Sequence, residues 1–365
     1  MTFFFSAGEA SGDAYAAELI EGVRALAPAA RFEAVGGARA REAGATLVAD
    51  SSHWGAIGII SSIGVGPRVL AGYRRAKRRL AQGPKGVFVP IDFGFVNVRL
   101  ARFAKAHGWK VLYFVPPGSW RRTRQGQHIP KVSDIVVTPF PWSAEILRGY
   151  GADARWYGHP LKQRIAARGQ EAGTGLAVLP GSRSHEIRAN LPAIAGAVRD
   201  LDVPVEFAVA TSLNAGVLRA MWERLVPGRK DTFTQGDTVG VLRRARAAVV
   251  CSGSATLEAA LSHCPMVVVY RLAGVAVIEG RLRKPFMHIP FIALPNLILE
   301  REVVPELIQE AATPVAIRGW VDRLLGDTET RRAQLAAFTE LDQLLGGSDA
   351  IDRAAAAIVE LAERA

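Results

Sequence analysis

Thr2-Phe3-Phe4-Phe5-Ser6-Ala7-Gly8-Glu9-Ala10-Ser11-Gly12-Asp13 passes from an apolar run into a glycine loop and on into an amphipathic stretch. The same grammar returns at Ala247-Ala248-Val249-Val250-Cys251-Ser252-Gly253-Ser254-Ala255-Thr256-Leu257-Glu258. Each reads as a buried strand handing over to a helix. Glycine lets the backbone turn tightly and approach a ligand. Ser and Thr cap the helix, whose first N–H groups and positive dipole end favour an anion. Two such sites, one in each half, point to an enzyme that holds two substrates between two α/β lobes.

Outward from the first loop, strands are expected at Thr2–Ser6, Arg31–Val35, Val87–Pro90, Lys110–Val115, Asp134–Thr138 and Ala154–Tyr157. Helices at Asp13–Ala27, Pro67–Leu80, Val96–His107 and Trp142–Tyr150 separate them. Lys162–Gly175 turns polar and reads as a linker. The alternation restarts with strands at Leu176–Leu179, Val205–Ala210, Asp231–Thr234, Ala247–Val250 and Met266–Val269. Helices are expected from Ser184 and at Asn214–Leu225, Asp237–Arg244 and Thr256–Ser262. The last part reads as helical over Pro305–Glu310, Pro314–Leu325, Glu329–Leu345 and Asp349–Glu363. Parallel strands need crossovers, so this alternation predicts two doubly wound parallel sheets. Ligands of such sheets sit beyond the carboxyl ends of the strands, where both loops fall.

Composition narrows the function classes. The 365 residues suffice for two domains, and 49% hydrophobic with 22% charged residues is an ordinary globular balance. Net charge is 45 − 34 = +11, which reads either as a solvated basic surface or as attraction to phosphates and anionic membranes. Without a zinc knuckle, an RNP-type aromatic strand or a continuous basic helix, nucleic acid is not expected as a partner. Cys251 and Cys264 are too few for a disulfide framework and suit a reducing compartment. No Cys/His cluster has metal-ligand spacing, so neither a metal nor another cofactor is expected. No secretory leader and no membrane span is read in the sequence, so the expected location is cytoplasmic, with any membrane contact peripheral. A nicotinamide-type dehydrogenase is the obvious competitor, but Gly8 and Gly12 do not make its glycine fingerprint.

Several residues can carry chemistry. Gly181 and Ser182 follow the first strand of the second half and can turn N–H groups toward a phosphate, and Arg183 offers a planar fork for bidentate binding. Arg183 reads equally as an exposed residue at a helix start. Ser252, Gly253, Ser254 and Thr256 form a second loop that can help clamp a diphosphate without metal. Glu258 lies in the following turn, suited either to the helix dipole or to ribose hydroxyls. Arg271 ends a buried strand, and Asn296 can bond a base or diphosphate or cap a turn. In the first half, Asp92 follows Ile91 at a strand end and can accept a proton from an attacking hydroxyl, or cap a helix. Glu9 and Asp13 are further carboxylates, Asp13 with capping as its default role. His159 reads as a packing histidine or a proton carrier. Trp54–Leu70 is apolar and glycine-punctuated and runs into Arg74-Arg75-Ala76-Lys77-Arg78-Arg79, the pairing that a lipid interface needs. A core segment beside a solvated helix is the alternative. Arg121–Arg124 and Arg281–Lys284 add positive clusters.

In this order, the motifs resemble the lipid-A-disaccharide synthase family. The matching pieces are Ser6–Asp13, Ile91-Asp92 with Asn97, Gly158–Leu161, Leu179–Ile187, Ser252–Glu258, Tyr270-Arg271, Pro295–Ile298 and Pro305–Gln309. The resemblance implies a GT-B fold. An acceptor-binding Rossmann-like lobe would span 1–165 and a UDP-sugar-binding lobe 175–335, with C-terminal helices over 336–365 packing back on the first lobe. It implies inverting transfer of an acylated glucosamine from a UDP donor to the 6-hydroxyl of an acylated glucosamine 1-phosphate, without metal, on the inner membrane. A homodimer is one possible state. Arg183 and Asn296 become the nucleotide contacts, with Glu186 in the same motif; Ser252–Glu258 cradles UDP. Asp92 becomes the general base, with Glu9 and Asp13 as substitutes.

This chain departs from the family pattern in the first lobe. Phe95 replaces a family aspartate, Trp120-Arg121-Arg122-Thr123 replaces a Trp-Ala-Trp-Arg stretch, and Ser61 stands near a lost acidic residue. Those changes leave open a relative with another acceptor and a nucleotide- or lipid-binding relative without activity. A UDP-amino-sugar epimerase is the other enzymatic reading.

Overall fold

The computed structural model describes residues 1–52, 54, 59–166, 173–211, 213–271 and 291–364, the backbone alone at 59–65. The chain divides into two compact units, Met1–Gln163 with Leu345–Ala365, and Arg164–Leu344.

The first unit carries strands β1 (Thr2–Ala7), β2 (Arg31–Gly36), β3 (Thr46–Asp50), β4 (Val87–Ile91), β5 (Lys110–Phe114), β6 (Ile135–Thr138) and β7 (Ala154–Trp156). Their order is β3-β2-β1-β4-β5-β6-β7, and every pairing is parallel. The chain winds one way from β1 and the other way from β4, so the switch point lies between these two. Their register places Ala7 beside Ile91. The glycine loop after β1 and Asp92 after β4 therefore leave the sheet side by side.

Phe3, Phe4 and Phe5 are fully buried because helices cover both faces of the sheet. Phe3 and Phe5 meet Leu19 and Ile20 of the helix Ala10–Leu26, together with Ile351, Ala354 and Ile358 of the final helix Ala350–Glu363. Phe4 points to the opposite face, among Phe88, Leu100 and Trp109. Strand alternation thus divides three consecutive aromatics between two cores.

The second unit repeats the plan with β8 (Gly175–Leu179), β9 (Val205–Val209), β10 (Thr232–Gln235), β11 (Ala245–Cys251), β12 (Met266–Tyr270) and β13 (Glu306–Ile308). The order is β10-β9-β8-β11-β12-β13, again all parallel. Here the switch point lies between β8 and β11, with Leu179 beside Val250.

Several readings of the sequence are corrected, among them the linker Lys162–Gly175, whose first residues lie in the helix Pro160–Ala166. Pro305–Glu310 is not a helix: Glu306–Ile308 forms β13, paired with Val268–Tyr270, and only Gln309–Ala311 makes a 3-10 turn. Val268–Tyr270 offers an open strand edge, and pairing with it outweighs the local helical spacing. The edge strand β3 and the helix Ala38–Glu42 were not expected at all. Among the described residues no helix is long and apolar enough to cross a membrane.

Candidate functional site

At the switch point of the first unit, Asp92 and Phe93 follow β4 with φ of 43° and 46°. Two successive non-glycine residues in the left-handed region are a costly arrangement that the surroundings must enforce. Buried Asn97, on the helix Gly94–Ala106, supplies the restraint. Its Nδ2 donates to the carbonyls of Ser6 and Ile91, both at 2.9 Å, and its Oδ1 accepts from Ser6 Oγ at 2.7 Å. The Tyr113 hydroxyl donates to the Asp92 carbonyl at 3.0 Å. The Phe93 ring lies against Gly8, where a Cβ would come within 2.3 Å of it.

This bend turns the Asp92 side chain outward. The residue is exposed, yet dense protein behind it and the like charge of Glu9 push its carboxyl up to about 6 from an ordinary 3.8. The Phe93 N–H acts in the opposite sense and does not cancel the rise. Glu9 is the exposed N-cap residue of Ala10–Leu26. The two carboxylates therefore share one local field. Asp13 is separate and structural. Its Oδ1 accepts from the N–H groups of Gly37 at 2.6 Å and Ala40 at 3.3 Å, and its Oδ2 from Arg39 at 3.1 Å. It caps the helix Ala38–Glu42, so the expectation of a substitute base at Asp13 gives way to a capping role.

The first-lobe departures are visible individually. Phe95 is 77% exposed, with the Arg99 guanidinium 4.2 Å over its ring. Arg121 lies over Trp120, and Arg122 lies 3.9 Å over Trp142, which stacks on Phe140. His159 is buried beside Phe140, and its Nδ1 accepts from the Leu161 N–H at 3.2 Å. In the basic run, Arg74, Arg75 and Arg78 are exposed, whereas Lys77 and Arg79 lie over Phe103 and Trp109. The apolar half of the expected lipid interface, over 55–65, and the cluster Arg281–Lys284 lie outside the residues whose side chains are described.

In the second unit the loop after β8 closes on its own carboxylate. Buried Glu186 accepts from the N–H groups of Ser182 at 3.0 Å and Arg183 at 3.2 Å, and from Arg183 Nη1 at 2.9 Å. Gly181 has φ +128°, and a Cβ there would meet Glu186 at 2.8 Å, so glycine is required. The expectation that the Ser182 N–H faces a phosphate is thus corrected: an internal anion already accepts it. Arg183 is held in place by the same carboxylate.

Buried Asn190, on the helix Ser184–Val198, joins three strand ends. It donates to the Pro180 carbonyl at 3.1 Å and to Cys251 Sγ at 3.3 Å, and accepts from the Arg271 N–H at 2.9 Å. Burial pushes the Cys251 thiol up to about 12, aided by the charge of Glu186, which makes it a poor nucleophile. Arg271 Nη1 donates to the Ala312 carbonyl at 2.9 Å. Gly253, with φ +144°, precedes the helix Ser254–Leu261. Gly253 and Ser254 are exposed, and Glu258 is half-buried one turn on.

The rest of this loop works internally. Ser252 Oγ donates to the Ile292 carbonyl at 2.9 Å. Buried Thr256 donates to the Gly253 carbonyl at 2.7 Å and accepts from the Leu294 N–H at 3.1 Å. Asn296 is fully buried and saturated. Its Oδ1 accepts from the N–H groups of Val303 and Val304, and its Nδ2 donates to the Val304 carbonyl and to Glu306. A direct nucleotide contact at Asn296 is therefore replaced by a structural role. Sequence reading missed Asn190 and gave no role to Glu306, which it met only within the motif Pro305–Gln309 and whose carboxylate also accepts from the Ile292 and Ala293 N–H groups. A signal for Asn190 existed: it falls on the apolar stripe of its helix with Ile187, Leu191 and Ile194.

The family model described as lipid-A-disaccharide synthetase matches residues 3–357. The lipid-A-disaccharide synthase of Acidobacterium capsulatum is 32% identical, with 99% of this chain and 96% of that protein covered. That of Myxococcus xanthus is 33% identical, with 97% and 96% covered. Among solved structures, Acinetobacter baumannii MurG gives a TM-score of 0.56 at 13% identity, covering 98% of this chain and 99% of that one. The UDP co-structure of S. aureus MnaA gives 0.63 at 12% identity, covering 97% and 94%. These structural likenesses concern the fold, which is GT-B, as the ordered motifs imply. With its motifs placed at two switch points and the family model matched across both units, the chain belongs to the lipid-A-disaccharide synthase family of glycosyltransferases.

Proposed function

We propose that the protein transfers an acylated glucosamine from a UDP donor to the 6-hydroxyl of an acylated glucosamine 1-phosphate, inverting the anomeric carbon and forming the lipid A disaccharide. Family membership supports this reaction, and the observation that carries its assignment to residues is Asp92. A solvent-accessible carboxylate raised to about 6 is a stronger base than an ordinary aspartate and is still mostly ionised near neutrality. In this reading Asp92 takes the proton of the 6-hydroxyl as its oxygen attacks the anomeric carbon. The bond from that carbon to the phosphate oxygen breaks, and its electron pair leaves with UDP.

The second unit holds the donor in this proposal. Arg183, oriented by Glu186, and Arg271 meet the diphosphate, with the N-terminus of Ser254–Leu261 supplying further positive potential. Glu258 takes the ribose hydroxyls. Cationic side chains fill the place of a metal, so chelation leaves the rate unchanged. The enzyme works peripherally on the cytoplasmic face of the inner membrane.

Incubation with UDP-2,3-diacylglucosamine and 2,3-diacylglucosamine 1-phosphate, read by mass spectrometry, tests the reading. Disaccharide and UDP in equal amounts are expected. UDP binding without any disaccharide removes the proposed acceptor, and acceptor-free conversion of UDP-N-acetylglucosamine replaces transfer by epimerisation.

A further inference from the structure

A cavity of about 580 Å³ opens beside the carboxyl end of β3, within the range of about 300–1,000 Å³ usual for ligand sites. Its apolar wall is Ala49, Trp54, Ala71 and Gly72. The Trp54 ring packs so closely on Gly72 that a Cβ there would come within 2.1 Å of it. Arg68 and Arg75 line the same cavity from the helix Ile59–Ala81. Seven residues apart, they stand two turns from each other on one helix face, with Ala71 and Gly72 between them. Both are exposed, and neither makes an ion pair or hydrogen bond among the described residues. Among the described lining residues the acidic one, Asp50, is engaged by the Ser52 N–H at 2.9 Å and by Arg41 at 3.6 Å. The cavity thus combines an apolar wall with two uncommitted guanidinium groups.

Its position gives that combination a use. The ring of Trp54 lies 6.2 Å from the ring of Phe93, the residue that follows Asp92. Ser51, close to the same strand end, donates through Oγ to the Ala7 carbonyl at 2.7 Å, beside the Glu9 loop. Trp54, which lines the cavity, therefore contacts the residue that follows the proton-accepting Asp92 in the chain. The two guanidinium groups beside an apolar wall match the chemistry of a ligand with a phosphate and an acyl chain, since a phosphomonoester carries about −1.5 to −2 charge near neutral pH.

We infer that this cavity is the acceptor subsite, in which Arg68 and Arg75 hold the phosphate of the phosphorylated acyl-sugar while Trp54, Ala49 and Ala71 contact an acyl chain. The inference rests on the proposed function for the identity of the acceptor. Arg68 and Arg75 then select the phosphorylated acceptor over the same sugar without phosphate.

The test is the full-length double variant Arg68→Ala/Arg75→Ala, assayed in neutral detergent with 2,3-diacylglucosamine 1-phosphate and with its dephosphorylated analogue. The Michaelis constant for the phosphorylated acceptor should rise by about tenfold or more, that for the donor should stay within about twofold, and the preference for phosphate should vanish. An equal effect on both acceptors, or none on either, overturns the inference. So does loss of sedimentation with phosphatidylglycerol vesicles when acceptor kinetics in detergent are unaltered, because the arginines then serve membrane headgroups. If the wild-type protein forms no disaccharide, the proposed reaction fails separately. In that case direct binding decides: quenching of Trp54 by a brominated-acyl glucosamine 1-phosphate, measured against Trp54→Phe, should be lost in the double variant. Quenching equal to wild type rejects the subsite.

Discussion

The side-chain amide of Asn97 donates to the main-chain carbonyl of Asp92 at 3.1 Å. The same amide reaches the ends of β1 and β4 through Ser6 and Ile91, so one buried side chain fixes the strand pair and the left-handed bend at once. Asn190 does the corresponding work among the ends of β8, β11 and β12. Each unit therefore secures its switch point with an amide that can donate and accept within a few ångströms.

Replacing Asn97 by Ala leaves the Ser6 hydroxyl without its acceptor and three carbonyls short of a donor. Each group stranded in the interior costs about 1–3 kcal/mol. The denaturation midpoint of Asn97→Ala should fall accordingly, and the acid limb of its pH–rate profile should shift because the bend at Asp92 loses one of its restraints and keeps only Tyr113 on the Asp92 carbonyl. A profile that keeps its position in a folded variant rejects the positioning role.

Arg183→Ala should weaken UDP binding by about 10- to 100-fold, the worth of charge-assisted hydrogen bonds to a diphosphate. Glu186→Gln should give a smaller loss, because the amide keeps one acceptor for the loop N–H groups but ends the ion pair that orients Arg183. Titration calorimetry with UDP separates them. An Arg183→Ala protein that binds like wild type removes Arg183 from the donor site.

Asn296→Ala should act on stability first. Four internal hydrogen bonds disappear, and the Val303 and Val304 N–H groups lose their acceptor. Thermal unfolding should come at a clearly lower temperature, while the UDP affinity of the folded protein stays within about threefold. A stable variant with lost affinity returns Asn296 to the nucleotide.

The two doubly wound sheets were legible because the apolar runs are short, the helices amphipathic and the glycine loops well placed. Phe3-Phe4-Phe5 reads as a strand buried on both faces, and it is one. Side-chain duties were less legible. A polar residue after a strand reads alike whether it faces a ligand or its own backbone, and Asn296, Thr256, Asp13 and Glu186 all face inward. Asp13 and Asn296 meet partners in segments that only the fold brings near, Gly37–Ala40 and Glu306, whereas Glu186 closes on the N–H groups of Ser182 and Arg183 just before it in the chain. The setting of Glu306 was hidden because Pro305–Glu310 has helical spacing, and only the open edge of β12 makes it a strand. Asp92 was legible as a carboxylate at a strand end, but its left-handed bend depends on Asn97 and Tyr113 and has no local signature.

The raised Asp92 carboxyl makes the strongest demand on experiment. With a folded value near 6 against an ordinary 3.8, Asp92 is protonated, and unable to act as base, below about pH 6. The rate at low substrate should fall tenfold per pH unit on that acid limb. Glu9→Gln removes the like charge and should move the limb to lower pH. Asp92→Asn should lower turnover by about 10²- to 10⁴-fold and abolish the limb while sparing UDP binding. Stability gives an independent reading of the same shift. A carboxyl whose folded value exceeds its unfolded value binds its proton more tightly in the folded state, so ionisation costs stability as pH rises from 3.8 through 6. Asp92→Asn should therefore be more stable than the parent above pH 6 and indistinguishable from it below 3.8. A parent that keeps full activity at pH 5, or a variant no more stable than the parent at pH 7, would show that the Asp92 carboxyl is not raised.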